Sequence, residues 1–165
     1  MKTIFRLVLL TIASLIFIHA CAKNSTANIV CSISLNDSLN KLKVNYPGIY
    51  QNLIQEFKKI ENLKYSIEGD ALYVAFQNNA NKTSAVFSFD GKRRYSITNT
   101  KGDLPKPISE KIKNEYPTYT IFSKKTIKTE NETIYQVIVE NNNEYRVINF
   151  LNEEMEELQK IRKSL

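Results

Sequence analysis

Histidine is almost absent from this 165-residue chain: one occurs, His19, inside an N-terminal stretch that reads as a removable leader. Without that leader no imidazole remains. Its loss excludes Ser-His-Asp and Cys-His catalysis, every His-containing zinc site, and the commonest general acid–base group near neutral pH. Cysteine is nearly as scarce, with two, Cys21 and Cys31. A disulfide framework is excluded, and a lone Cys21–Cys31 bridge requires cleavage before Cys21 with no lipid added. Glycine numbers four, and neither common Gly-rich phosphate loop occurs. An EF-hand loop is missing too. No cofactor and no metal site is expected.

Long hydrophobic runs are also lacking, apart from one at the N-terminus. Lys2 and Arg6 precede the uncharged apolar run from Leu7 to Ile18, and the small-residue stretch Ala20-Cys21-Ala22 follows. A dozen apolar residues fall short of the roughly 20 that a relaxed bilayer span needs. Residues 1–22 therefore read as a signal peptide. Two processing routes are open. Ala20-Cys21-Ala22 meets the A-x-A rule, which leaves Lys23 as the first residue. Ile18-His19-Ala20-Cys21 also resembles a lipobox, which makes Cys21 a candidate lipid attachment site. Residues 23–34 read as a polar tether.

The net charge of +6 becomes +4 when Lys2 and Arg6 leave with the signal. The charges are interspersed: Lys92-Arg93-Arg94 and Lys124-Lys125 against Glu153-Glu154 and Glu156-Glu157. Phosphate binding needs clustered cations, so nucleic acid is not an expected partner. The expected partner is another envelope or secreted protein, with membrane contact only through an N-terminal lipid. In so Asn-rich a chain the sequons at Asn24, Asn36, Asn81 and Asn131 are chance matches.

Two rounds of one pattern follow. Leu35, Leu39 and Leu42 stand at helical spacing before the break at Tyr46-Pro47-Gly48. Ile49 to Leu63 then predicts an amphipathic helix through Ile49, Leu53, Ile54, Phe57 and Ile60. The period drops to two over Lys64–Glu68, Leu72–Phe76, Ser84–Phe89 and Arg94–Thr98, with Gly69-Asp70, the polar stretch Asn78–Lys82 and Asp90-Gly91 between them. Lys101–Pro107 is a linker by composition. A second helix, Ile108–Tyr116, is ended by Pro117, and strands follow over Thr120–Thr129, Thr133–Glu140 and Glu144–Phe150. Met155 to Leu165 suits either a strand or a charged terminal helix. Overlaying the halves by eye sets Phe57 near Tyr116 and Leu72-Tyr73 on Ile134-Tyr135, at a spacing of about 60 residues.

Leu104-Pro105-Lys106-Pro107-Ile108, Ile112-Lys113-Asn114-Glu115-Tyr116-Pro117 and Thr133-Ile134-Tyr135-Gln136-Val137 resemble the PepSY-like, beta-lactamase-inhibitor-like exported bacterial domain. Phe57, Lys64-Tyr65-Ser66, Glu68-Gly69 and Phe89-Asp90-Gly91-Lys92 look like a divergent copy. That copy lacks the Tyr-Pro helix end, since Lys58 follows Phe57, and it has Tyr65 where many relatives carry Trp. The resemblance implies an α+β fold of two tandem repeats, residues 35–100 and 101–165. Each would have one helix on an antiparallel four-stranded meander. The inhibitor for which the fold is named blocks its enzyme with the concave face of its sheets.

Three functions compete. The leading one is a non-enzymatic binding or inhibitor-like module in the periplasm, on the outer membrane or outside the cell. Its candidate surface is Tyr73, Tyr135 and Tyr145, with Arg146 beside the last. A carboxylate-dependent envelope hydrolase is the second, and it needs two acids about 5–10 Å apart in a cleft. Glu68, Asp70 and Asp90 are its visible acids, but Asp beside Gly at a hairpin is expected on backbone grounds alone. A structural or stress protein of the envelope is the third.

Overall fold

A computed structural model describes residues 35–164. The signal peptide, Cys21 and the polar tether lie outside the described residues. The chain runs α1 (Leu35–Asn45), α2 (Pro47–Glu56), β1 (Glu61–Glu68), β2 (Ala71–Asn78), β3 (Asn81–Ser88), β4 (Arg93–Asn99), α3 (Lys106–Glu115), β5 (Thr120–Thr129), β6 (Thr133–Glu140), β7 (Glu144–Leu151) and β8 (Glu154–Arg162). Every strand pairs antiparallel with the next, giving one eight-stranded sheet in chain order. A four-stranded meander was expected in each half, with no pairing named between them. Strand β4 pairs with β5 from Tyr95↔Thr129 to Asn99↔Lys125, so the halves share one ladder.

Local chemistry sets most boundaries. Pro47 starts α2 and ends α1, because the residue before a proline is pushed out of the helical region. The expected helix over 49–63 stops at Glu56. Phe57 caps it, and Asn62 adopts φ 56° at a bulge in β1, which has already begun at Glu61. The C-terminal segment, open between strand and helix in the sequence, is strand β8. The expected loop Asn78–Lys82 is a two-residue hairpin whose Asn79 and Ala80 both have positive φ. Gly91 needs its missing side chain, since a Cβ there would stand 3.2 Å from the Gly48 backbone, and its φ is +90°.

Alternation then divides the sheet into two faces. Leu72, Val74, Phe76, Ala85 and Phe87 join Leu42, Ile49, Leu53 and Phe57 in one buried core beneath α1 and α2. Val137, Val139, Ile148 and Phe150 join Leu104, Ile108 and Ile112 in a second, beneath α3. Between the cores the helix-side face is polar. Thr83 meets Thr98 at 3.1 Å, Thr100 meets Thr126 at 2.9 Å, and Ser96 is buried. Arg93 crosses this seam, bonding Glu56 of α2 at 2.7 Å and the Lys128 carbonyl of β5 at 2.7 Å.

Two helix ends share a sequence that the overlay of the halves did not pair. Lys41-Leu42-Lys43-Val44-Asn45-Tyr46-Pro47 repeats as Lys111-Ile112-Lys113-Asn114-Glu115-Tyr116-Pro117, with Leu42 and Ile112 both buried. These residues lie at the ends of α1 and α3, and α2 adds a second helix of ten residues before β1. Bulges fall on β1 and β4 in the first half and on β5 and β8 in the second, the outer strands of each.

Candidate functional site: the open face of the sheet

Residues of the opposite parity point away from all three helices. Cross-strand pairing arranges them in rows that cross the sheet. Tyr73, Val86, Tyr95 and Thr129 form the first. Ala75, Ser84, Ile97, Ile127, Ile134 and Leu151 form the second. Asn99, Lys125, Gln136 and Asn149 form a polar third row. Ile138 with Val147, then Glu140 with Tyr145 and Ile161, complete the face. Ile127 and Ile134 are 3% and 4% exposed, yet belong to neither helix-packed core.

Aromatic rings mark both ends. At one, the bulge in β5 turns out Phe122, 58% exposed, with its ring edge-on to Tyr145 at 5.2 Å. Lys163 stands 4.5 Å over the Tyr145 ring and pairs with Glu140 at 2.7 Å. At the other, Tyr95 is half-buried, and burial first and the neighbouring Tyr73 second raise its hydroxyl above the usual tyrosine pKa. Burial alone lowers the Lys125 ammonium below its ordinary value.

This is the fold of known structures. The chain superposes on a BLIP-like protein from Bacteroides fragilis with a TM-score of 0.57 at 15% identity, covering 70% of this chain and 84% of that one. A DUF2874-family protein from Bacteroides uniformis matches at a TM-score of 0.55 and 15% identity, covering 70% and 87%. A protein of Bacteroides eggerthii, whose name assigns it provisionally to the periplasm, matches at 0.55 and 14%, covering 70% and 86%. The fold is BLIP-like. No family model matches the chain, and no curated protein does.

On this BLIP-like sheet the four residues singled out in the sequence separate. Tyr73 and Tyr145 lie on the open face, at diagonally opposite corners roughly 35 Å apart at ordinary strand spacings. Tyr135 is paired with Phe150 and packs against the α3 core, so it faces the helices. The overlay of Tyr73 on Tyr135 is one residue out of phase, which reverses the face. Leu72 is the positional match of Tyr135. Arg146 also points to the helix side. Its guanidinium joins Glu144 at 2.7 Å and Glu157 at 2.7 Å, where Tyr119 donates to Glu144 and Tyr116 donates to Glu157 at 2.8 Å. Cys21 lies outside the described residues.

Two of the three visible acids are occupied by structure, and Glu68 stands in β1 opposite Ala71. Asp70 accepts from Arg94 at 2.6 Å, and Asp90 accepts from Ser88 and from the Lys92 backbone at 3.1 Å within its own turn. Among the described residues no three His, Cys, Asp or Glu side chains gather as a metal site, and no helix is long and apolar enough to cross a membrane. Sequence reading passed over Phe122, Tyr95, Lys125, Gln136 and Asn149. Only strict alternation along Thr120–Thr129 could have signalled Lys125, and the bulge at Phe122 hides that phase.

Proposed function

We propose that this chain is an exported, non-enzymatic binding module of the bacterial envelope, holding a protein partner on the open face of its sheet. One observation carries the reading: the face turned away from the helices has apolar rows on both sides of its polar middle row and is aromatic at both ends. The solvated side of an antiparallel sheet is ordinarily polar, and a contiguous apolar surface rimmed by polar residues marks an interaction site. Phe122, the most exposed of its aromatics, stands edge-on to Tyr145 and is free to fill a partner's pocket. The BLIP-like fold agrees with the inhibitor-like function that the sequence resemblance implies, as an analogy of fold. Alanine substitution of Phe122, Tyr95 and Tyr145 is expected to lower partner capture at least tenfold while leaving the melting temperature within a few degrees. Capture unchanged in all three variants would sink the proposal.

The export half of the reading rests on Lys2, Arg6, the Leu7–Ile18 run and Ala20-Cys21-Ala22. Intact mass spectrometry of the envelope fraction tests it. A chain starting at acylated Cys21 makes the module a lipoprotein, and one starting at Lys23 makes it a free one; an uncut Met1 overturns export by cleavage. We infer also that residues 35–100 and 101–165 are PepSY-like tandem copies, the first enlarged by α2. The matching Lys-x-Lys-x-x-Tyr-Pro helix ends and the bulges on each half's outer strands support this.

A further inference from the structure

Along the middle row of the open face, Lys125, Gln136 and Asn149 stand side by side on β5, β6 and β7. Gln136 Nε2 donates to Asn149 Oδ1 at 3.2 Å. Asn149 is 3% exposed, and its Nδ2 has no partner among the described residues. Lys125 is half-buried, and no acid among the described residues offsets its desolvation. A buried donor without an acceptor and an ammonium drawn out of water each destabilise the fold. Both stand in one row, with the apolar Ile127–Ile134–Leu151 row on one side and Ile138–Val147 on the other.

We propose that this row is a carboxylate-recognition point, which receives an Asp or Glu side chain of the protein partner between Lys125 Nζ and Asn149 Nδ2. The inference rests on the reading of the open face as a binding surface and adds the chemistry of its centre. Lys125 and Asn149 are two strands apart, roughly 10 Å between backbones, a gap that the lysine stem and an incoming carboxylate together span. Charge fixes the sign of the guest. Lys64 and Lys82 share the open face with Lys125, and of its acids Glu68, Glu140, Glu154 and Glu156, the last paired across from Asn149, none bonds Lys125 or Asn149 Nδ2 among the described residues. The apolar rows on either side exclude water, which strengthens an ion-assisted hydrogen bond made between them. They also give the backbone that carries the acid something to cover, so the guest is a protein side chain rather than a free anion.

The test uses two displayed heptapeptide libraries, one with Glu fixed at the centre and one with Gln, panned against the protein purified after export. The Glu library is expected to enrich, and the Gln library to enrich at least tenfold less. The best Glu peptide should lose about tenfold or more in affinity against Lys125→Met. It should keep most of it against Lys125→Arg and against Lys124→Met, whose side chain faces the helices and bonds the Gly102 carbonyl. Lys125→Met should melt no lower than the parent, since it removes a desolvated charge; a drop of several degrees would assign Lys125 a structural role and overturn the proposal. Equal enrichment of both libraries through Phe122 and Tyr145 overturns the carboxylate inference and leaves the binding face standing. Enrichment of neither overturns both.

Discussion

Glu144 sits at the crossing of β7 with the end of α3. The Tyr119 hydroxyl first, and Lys160 and Arg146 with it, bring the pKa of its carboxyl from 4.5 down to about 2. A carboxyl depressed by folding contributes stability that is fully present above its unfolded value and is lost as pH falls toward the folded one. The protein should therefore lose melting temperature between pH 4.5 and 2, and Glu144→Gln should flatten that slope; a slope unchanged in the variant would show that other acids carry it. Tyr116 works in the opposite range. Burial, then its bond to Glu157, pushes its hydroxyl up to about 12, so the stability it lends is lost as pH climbs from 10 through 12. Backbone strain is a second effect at single residues. Ala80 at φ 65° and Glu153 at φ 66° occupy the left-handed region, which costs a side-chain-bearing residue about 1–2 kcal/mol. Ala80→Gly is expected to raise the urea midpoint by the equivalent of about 0.5–1 kcal/mol, after the added unfolded-state freedom is deducted. An unchanged or lower midpoint would refute it. None of this was legible in the sequence, where Glu144 is one acid among many and Arg146 was assigned to a binding surface. Strand alternation gives a side chain its face only after the bulges are placed.

Among the elements, the strands of the second half were the most legible. Thr133–Glu140 and Thr120–Thr129 were read with the boundaries the structure has, because β-branched residues and Asn-rich turns punctuate them. The helix over Ile49–Leu63 was overextended for a physical reason. No Gly or Pro ends it, and Ile60 fits a helical stripe as well as it fits the edge of the core it actually joins. Packing separates the two faces energetically. Phe87, fully buried beneath α1 and α2, should cost about 3–5 kcal/mol on change to alanine. Phe122, exposed at its bulge, should cost no more than about 0.5 kcal/mol. Denaturant unfolding of both variants checks this, and a large loss at Phe122 would mean that its ring belongs to the fold rather than to a partner.

In the whole molecule, two cores hang on one sheet. The helix-side seam between them is a threonine and serine ladder, while the open-face seam carries Ile97, Ile127 and Ile134. If the halves separated, these isoleucines and the paired edges of β4 and β5 would be laid open. The halves are therefore expected to unfold together. The chain has no tryptophan, so Tyr65→Trp and Tyr135→Trp place one reporter in each core; coincident urea transitions are expected, and two separated midpoints would make the halves independent domains.

By itself the sequence determined the α+β class and most of the strands with their turns. These follow from local periodicity, turn chemistry and composition, which neighbours along the chain supply. The tertiary structure alone decided that the two meanders form one sheet, that β8 is a strand, and which side chains share the open face. Those depend on register: each bulge advances one strand by a residue and exchanges its faces. Lys125 and Asn149, far apart in sequence, meet in a row only because three strands align.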